Sequence, residues 1–157
     1  MPSSVRYHFR QLFNVSAQEA YEWCTNYKSG QEDHMLMGEK TAARQVKRVA
    51  DSTIILTDTF RTEQSAIEKQ KLVELYPDSL SWNATHLTGP AKYSQFTYEI
   101  TADGKNASHI DFTGLFIDYK NESLSKAEAE KLAQQLCKED SEAWALLARE
   151  MANDFCR

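Results

Sequence analysis

The chain has 157 residues, 41% of them hydrophobic and 26% charged, with a formal net charge of −5. That length suits one domain able to bury about two thirds of its unfolded surface. The acidic balance argues against nucleic acid as a partner, and no apolar run approaches the roughly 20 residues of a membrane span.

The first stretch alternates Val5, Tyr7, Phe9, Phe13 and Val15 with Arg6, His8, Arg10 and Asn14, the period of a half-buried strand. In "FNVSAQEAYEW" the period changes: Ala17, Ala20, Tyr21 and Cys24 recur at helical spacing. Ser16 followed by Glu19 is a capping-box signature, so a helix is predicted over 17–27. "KSGQEDHMLMGEK" then reads as a polar loop around Met35, Leu36 and Met37, an apolar knot that fits one helical turn.

From residue 41 the period is two. Strands are predicted over 41–50, 53–62, 66–76, 79–88, 93–102 and 108–119, separated by Asp51-Ser52, Pro77-Asp78, Gly89-Pro90 and Asp103-Gly104. Six strands in unbroken succession form an antiparallel meander. Arg44, Lys47, Arg48, Lys69 and Lys71 alternate with Asp51, Asp58, Glu63 and Glu68, a pattern expected to solvate an exposed sheet face. Gly114 interrupts "IDFTGLFIDY" where the apolar parity changes from Ile110 and Phe112 to Leu115, Ile117 and Tyr119. A bulge at Gly114 is therefore expected, with Phe116 turned outward as an apolar patch for a homodimer.

The last element is a long helix with a second capping box, Ser125 and Glu128. Ala129, Leu132, Ala133, Leu136, Ala143, Trp144, Leu147 and Met151 share one face, which must lie on the concave side of the sheet. Asp140 falls in the middle of this stripe. A carboxylate there needs a partner, water or a ligand, and its pKa is expected to be raised; the competing reading breaks the helix and makes Asp140 or Ser141 a cap.

This order of elements resembles the helix-grip fold of the START and birch-pollen-allergen superfamily, the polyketide cyclase/dehydrase and lipid transport family, with "FNVSAQEAYEWCTNY" its most characteristic passage. The resemblance implies an α+β fold: a curved antiparallel sheet of about seven strands around a long C-terminal helix, with a short helical pair after the first strand. It also implies a cavity between helix and sheet for an apolar or amphipathic small molecule, lipid-like or aromatic. The residues placed there are Met35, Met37, Trp82, His86, Phe96, Tyr98, Phe112, Leu136, Asp140, Trp144 and Leu147. A binding or carrier role is the main expectation. The alternatives are a cyclase- or dehydrase-type enzyme using Asp140, His86 and Tyr98, with Asp140 or Glu99 as partner to His86, or a co-chaperone-like interaction domain.

No spacing among the four histidines suggests a metal site, and no phosphate loop or nucleophile elbow occurs, so neither metal nor cofactor is expected. Cys24, Cys137 and Cys156 are odd in number and scattered, which fits reduced thiols in a cytoplasmic protein.

Overall fold

In a computed structural model of the chain, which describes residues 2–27, 41–61, 63–120 and 123–156, strand β1 (Ser3–Phe13) runs into helix α1 (Ala17–Thr25). Strands β2 (Thr41–Ala50), β3 (Thr53–Arg61), β4 (Ala66–Tyr76), β5 (Ser81–His86), β6 (Gln95–Ala102) and β7 (Ser108–Asp118) follow, and helix α2 (Lys126–Asp154) ends the molecule. The short apolar turn expected around Met35 and Met37 lies outside the described residues.

The strands form one antiparallel sheet in the order β1-β7-β6-β5-β4-β3-β2. β2 to β7 are the predicted meander, and β1 completes the sheet along β7. Both helices start where their capping boxes stand. The Glu19 backbone N–H donates to Ser16 Oγ at 3.2 Å while Ser16 N–H donates to Glu19 Oε2, and Ser125 and Glu128 repeat the arrangement. α2 is unbroken from Lys126 to Asp154, so Asp140 and Ser141 cap nothing. Ser141 instead donates its hydroxyl to the Lys138 carbonyl one turn back. No helix among the described residues is long and apolar enough to cross a membrane.

One face of the sheet carries Tyr7, Phe13, Ile54, Leu56, Val73, Trp82, Ala84, Ile100, Ile110 and Phe112, all buried. α2 lies over this concave face, as Trp144 against Phe13 and Tyr98 demonstrates.

Two expectations about this face are corrected. β7 has no bulge at Gly114: its pairing with β1 and with β6 continues residue by residue, Tyr7 opposite Gly114 and Phe96 opposite Gly114. Strand parity is thus unbroken, and Phe116, opposite Val5, faces inward with Phe112. That removes the outward patch from which a homodimer was expected. The basic residues are the second correction. Arg44 does not solvate the sheet; it is buried on the concave face in a bidentate pair with buried Asp58, Nε to Oδ1 at 2.7 Å and Nη2 to Oδ2 at 2.9 Å.

Candidate functional site

The concave face divides into two halves. Phe13, Val15, Ala17, Ala20, Tyr21, Trp82, Ile100, Ile110 and Met151 at the α1 end form one continuous buried core with Ile54, Leu56, Val73 and Ala84 of β3 to β5. The Trp23 indole N–H donates to Asp154 Oδ2 at 2.7 Å, fastening α1 to the end of α2. This half is filled. Toward the other end Val5 and Tyr7 of β1 are buried, whereas Phe9, Phe60, Phe96 and Phe116 from the sheet and Leu132, Leu136 and Asp140 from α2 are each only half-buried. The border between the halves is a wall of rings. Tyr98 stacks on Trp82 at 4.7 Å with an interplanar angle of 6°, and it also contacts Trp144 at 5.7 Å and Phe112 at 5.2 Å. Phe112 in turn stacks on Phe9 at 4.6 Å.

The predicted site residues distribute accordingly. Phe96, Leu136, Asp140 and His86 stand in the half-buried region; Tyr98, Phe112 and Trp144 form the border; Trp82 belongs to the filled core and Leu147 is buried beneath α2. Met35 and Met37 lie outside the described residues.

Asp140 meets a partner that the sequence reading did not name. The Tyr7 hydroxyl donates to Asp140 Oδ2 in a short hydrogen bond that joins β1 to α2. Tyr7 reaches the helix because Gly114 has no side chain: a Cβ there would lie 2.5 Å from Tyr7 Cζ and 2.6 Å from Cε1. Gly114 is therefore a close-approach glycine. Burial raises the Asp140 pKa above the ordinary carboxyl value, against the opposing pull of the Tyr7 hydrogen bond, with Glu139 adding to the rise. Burial likewise raises Tyr7, reinforced by the hydrogen bond and the charge of Asp140, so the phenol keeps its proton and remains the donor.

Because the folded value of Asp140 lies above the unfolded one, its contribution to stability is complete below about pH 3.9 and is lost as pH rises through the folded value. Asp140→Asn removes the desolvated charge and retains an acceptor for Tyr7. It should be neutral or stabilising at pH 7 and without advantage at pH 3. Asp140→Ala leaves the buried Tyr7 hydroxyl without its acceptor and should cost about 1–3 kcal/mol. Thermal melts of both variants at the two pH values check this, and a Tyr7–Asp140 bond of the kind described is contradicted if Asn and Ala cost the same.

His86 points inward, opposite Lys71, with its ring edge-on to Phe96 at 5.1 Å. Burial lowers its pKa to about 4, helped by the charges of Lys71 and Lys69, so the imidazole is neutral at pH 7. Neither expected carboxylate partner serves it. Glu99 pairs with Asp111 on the outer face and is exposed, and Asp140 bonds Tyr7. Lys69 and Lys71 share the inward face, Lys69 opposite Asp58 and Lys71 opposite Leu56, and the Lys69 ammonium lies 4.7 Å from the Phe60 ring centroid. Sequence reasoning missed Tyr7, Arg44, Asp58 and both lysines as inward polar groups; strand parity counted from buried Leu56 would have found Asp58.

His109 and Asp111 do share a face, the outer one. His109 Nδ1 is 2.7 Å from Asp103 Oδ2, and Asp111 also takes Arg10 and His8. Among the described residues no group of three or more His, Cys, Asp or Glu side chains could hold a metal ion.

No family model matches the sequence, and no curated protein matches it. Solved structures do. The aromatase/cyclase Zhui from Streptomyces sp. R1128 superposes with a TM-score of 0.70 at 9% identity, over 99% of this chain and 97% of that one. Norcoclaurine synthase from Thalictrum flavum, in complex with dopamine and hydroxybenzaldehyde, gives 0.62 at 13% identity, over 99% and 90%. Ara h 8.0201 gives 0.65 at 7% identity, over 96% and 99%. What these similarities establish is the fold, a seven-stranded antiparallel sheet that grips a long C-terminal helix.

Proposed function

We propose that this helix-grip protein is a binding or carrier domain for an apolar or amphipathic small molecule, held between α2 and the half-buried end of the concave face. The observation that carries this reading is the asymmetry of the face. The same curved sheet is tightly filled at the α1 end, while Phe9, Phe96, Phe116 and Leu136 at the other end keep solvent-accessible surface although they point inward. Apolar side chains that face the interior without being covered are a cost in free energy that a ligand removes. The similarity to an enzyme crystallised with two small aromatic molecules supports the same reading.

A second reading, an enzyme of the cyclase or dehydrase kind, draws on one observation. Tyr7 and Asp140 form a hydrogen-bonded acid and base pair beside the proposed space, with neutral His86 across it. The carrier reading is favoured because His86 lacks a carboxylate to orient it among the described residues. The three free cysteines suit a reducing compartment such as the cytoplasm.

The test is saturable binding of an uncharged apolar fluorophore, N-phenyl-1-naphthylamine, to the folded protein. Binding with one site per chain is expected, and Ala143→Trp, which projects an indole from the apolar stripe of α2, should abolish it while the melting transition stays cooperative. Fluorescence that rises only as the protein unfolds contradicts the proposal.

A further inference from the structure

Asp140 faces the sheet from α2 with more hydrogen-bonding capacity than the protein uses. Its Oδ2 receives the Tyr7 hydroxyl. Its Oδ1 receives no hydrogen bond among the described residues, and it is not sealed inside the protein. The charge is uncompensated as well. Tyr7 from β1 and Glu139 from its own helix act on Asp140, neither of them a cation, and no lysine, arginine or histidine among the described residues pairs with it. The other titratable groups that face the pair are Tyr98 from β6 and, beside Tyr7, Cys137. The walls around the carboxyl group are apolar and aromatic. Leu136 and Trp144 stand four residues to either side of it on one face of α2. Trp144 contacts Tyr98 at 5.7 Å, Tyr98 meets Phe112 edge-on at 5.2 Å, and Phe112 lies 5.8 Å from Tyr7.

We infer that the ligand is a cationic amphipath, a protonated amine that donates an N–H to Asp140 Oδ1 and lays its apolar body toward Phe116 and Leu136. This rests on the binding reading and specifies the chemistry of its ligand. Tyr7 gives its one hydroxyl proton to Asp140, so the pair offers a third group acceptors and no donor. An anion is repelled there, and an ether or a hydrocarbon leaves Oδ1 out of water without a donor. An ammonium supplies the donor and the opposite charge together, in a charge-assisted hydrogen bond. The rings of Tyr98 and Trp144 select in the same direction, because an aromatic face attracts a cation. A seated ammonium also reverses the electrostatics of the carboxyl group. Burial raises the Asp140 pKa in the free protein, and a cation beside it lowers that value.

A matched set of probes tests the inference: 1-naphthylmethylamine, which is protonated at neutral pH, 1-naphthalenemethanol and 1-(methoxymethyl)naphthalene, the same rings with an ammonium, a hydroxyl or an ether. Each is titrated against bound N-phenyl-1-naphthylamine, and the ratio of dissociation constants is the readout, so that general apolar affinity cancels. The ammonium should bind about tenfold more tightly than the ether. Asp140→Asn keeps an acceptor for Tyr7 and removes the charge, so it should abolish that preference. Glu142→Gln, at an exposed position of the same helix, should leave it unchanged. In the wild-type protein the NMR titration of the Asp140 carboxyl group should move to lower pH with the ammonium and not with the ether. This measurement decides the matter if Asp140→Asn does not fold. An ammonium that binds no more tightly than the ether or the alcohol overturns the cationic ligand. A preference that survives in folded Asp140→Asn overturns it too, as does an Asp140 titration indifferent to the ammonium. Failure of N-phenyl-1-naphthylamine itself to bind saturably is a different result, and it overturns the binding reading.

Discussion

Asp58→Ala should be among the most destabilising single substitutions in the chain, lowering stability by about 3–5 kcal/mol. The side chains of Arg44 and Asp58 are 6% and 3% exposed and meet through two short hydrogen bonds, so the guanidinium is held out of water by the carboxylate opposite it. Removing the carboxylate leaves a buried charge without its bidentate acceptor. Removing both charges is a different matter. Arg44→Met/Asp58→Leu replaces the pair with apolar volume on a face that already carries Leu56 and Ile54, and it should recover most of the loss. A double-mutant cycle in urea should thus give a coupling energy of the same order as the single-variant cost. A loss of less than about 1 kcal/mol in Asp58→Ala, the range of surface ion pairs, would mean that the pair is solvated.

Gly114→Ala is the second large effect. The added Cβ would occupy the space of the Tyr7 ring, which is buried and tied to Asp140, so the ring must move and the β1–α2 hydrogen bond must break. Overpacking combined with a lost buried hydrogen bond should cost about 2–4 kcal/mol. The cause can be isolated. In a Tyr7→Ala background the ring is gone, and Gly114→Ala should then be nearly neutral. A strained backbone at Gly114 would instead make the substitution costly in either background. Chemical denaturation of the four proteins in the cycle reads this directly.

Features encoded over a few residues were legible. Ser16 with Glu19 and Ser125 with Glu128 mark helix starts because each box is closed within one turn. The strand limits over 41–50 and 66–76 follow from turn residues and period two. Asp140 stood out because a carboxylate in an apolar stripe is anomalous on local grounds alone. Its partner was not legible, since Tyr7 is 133 positions away and becomes a neighbour only when α2 crosses onto β1.

The face that Arg44 takes depends on register, which charge alternation does not give. A two-residue turn at Asp51-Ser52 with regular pairing would set Arg44 opposite Thr59. The irregularity between Arg48 and Ala50 slips the ladder by one residue, and Arg44 meets Asp58 instead. At Gly114 the error was the reverse. The parity change of apolar residues predicts a bulge, whereas the ladder is regular and Leu115 and Ile117 lie half-buried on the outer side. Apolar residues occur on both faces of an inner strand such as β7, so parity alone cannot locate a bulge there. The ligand class was legible only through the resemblance, because a concave face lined with aromatics reads the same in sequence whether it is filled or open.

On the proposed reading, the half of the concave face beyond Tyr98 and Trp144 receives a ligand while the α1 half is solid core. Amide and aromatic NMR shifts during titration with N-phenyl-1-naphthylamine test it most directly. Saturable changes are expected at Phe9, Phe96, Phe116, Leu136 and Asp140, with Ile100, Ile110, Ala20 and Met151 unmoved. Changes centred on those four core residues, or scattered over the outer face, would contradict it.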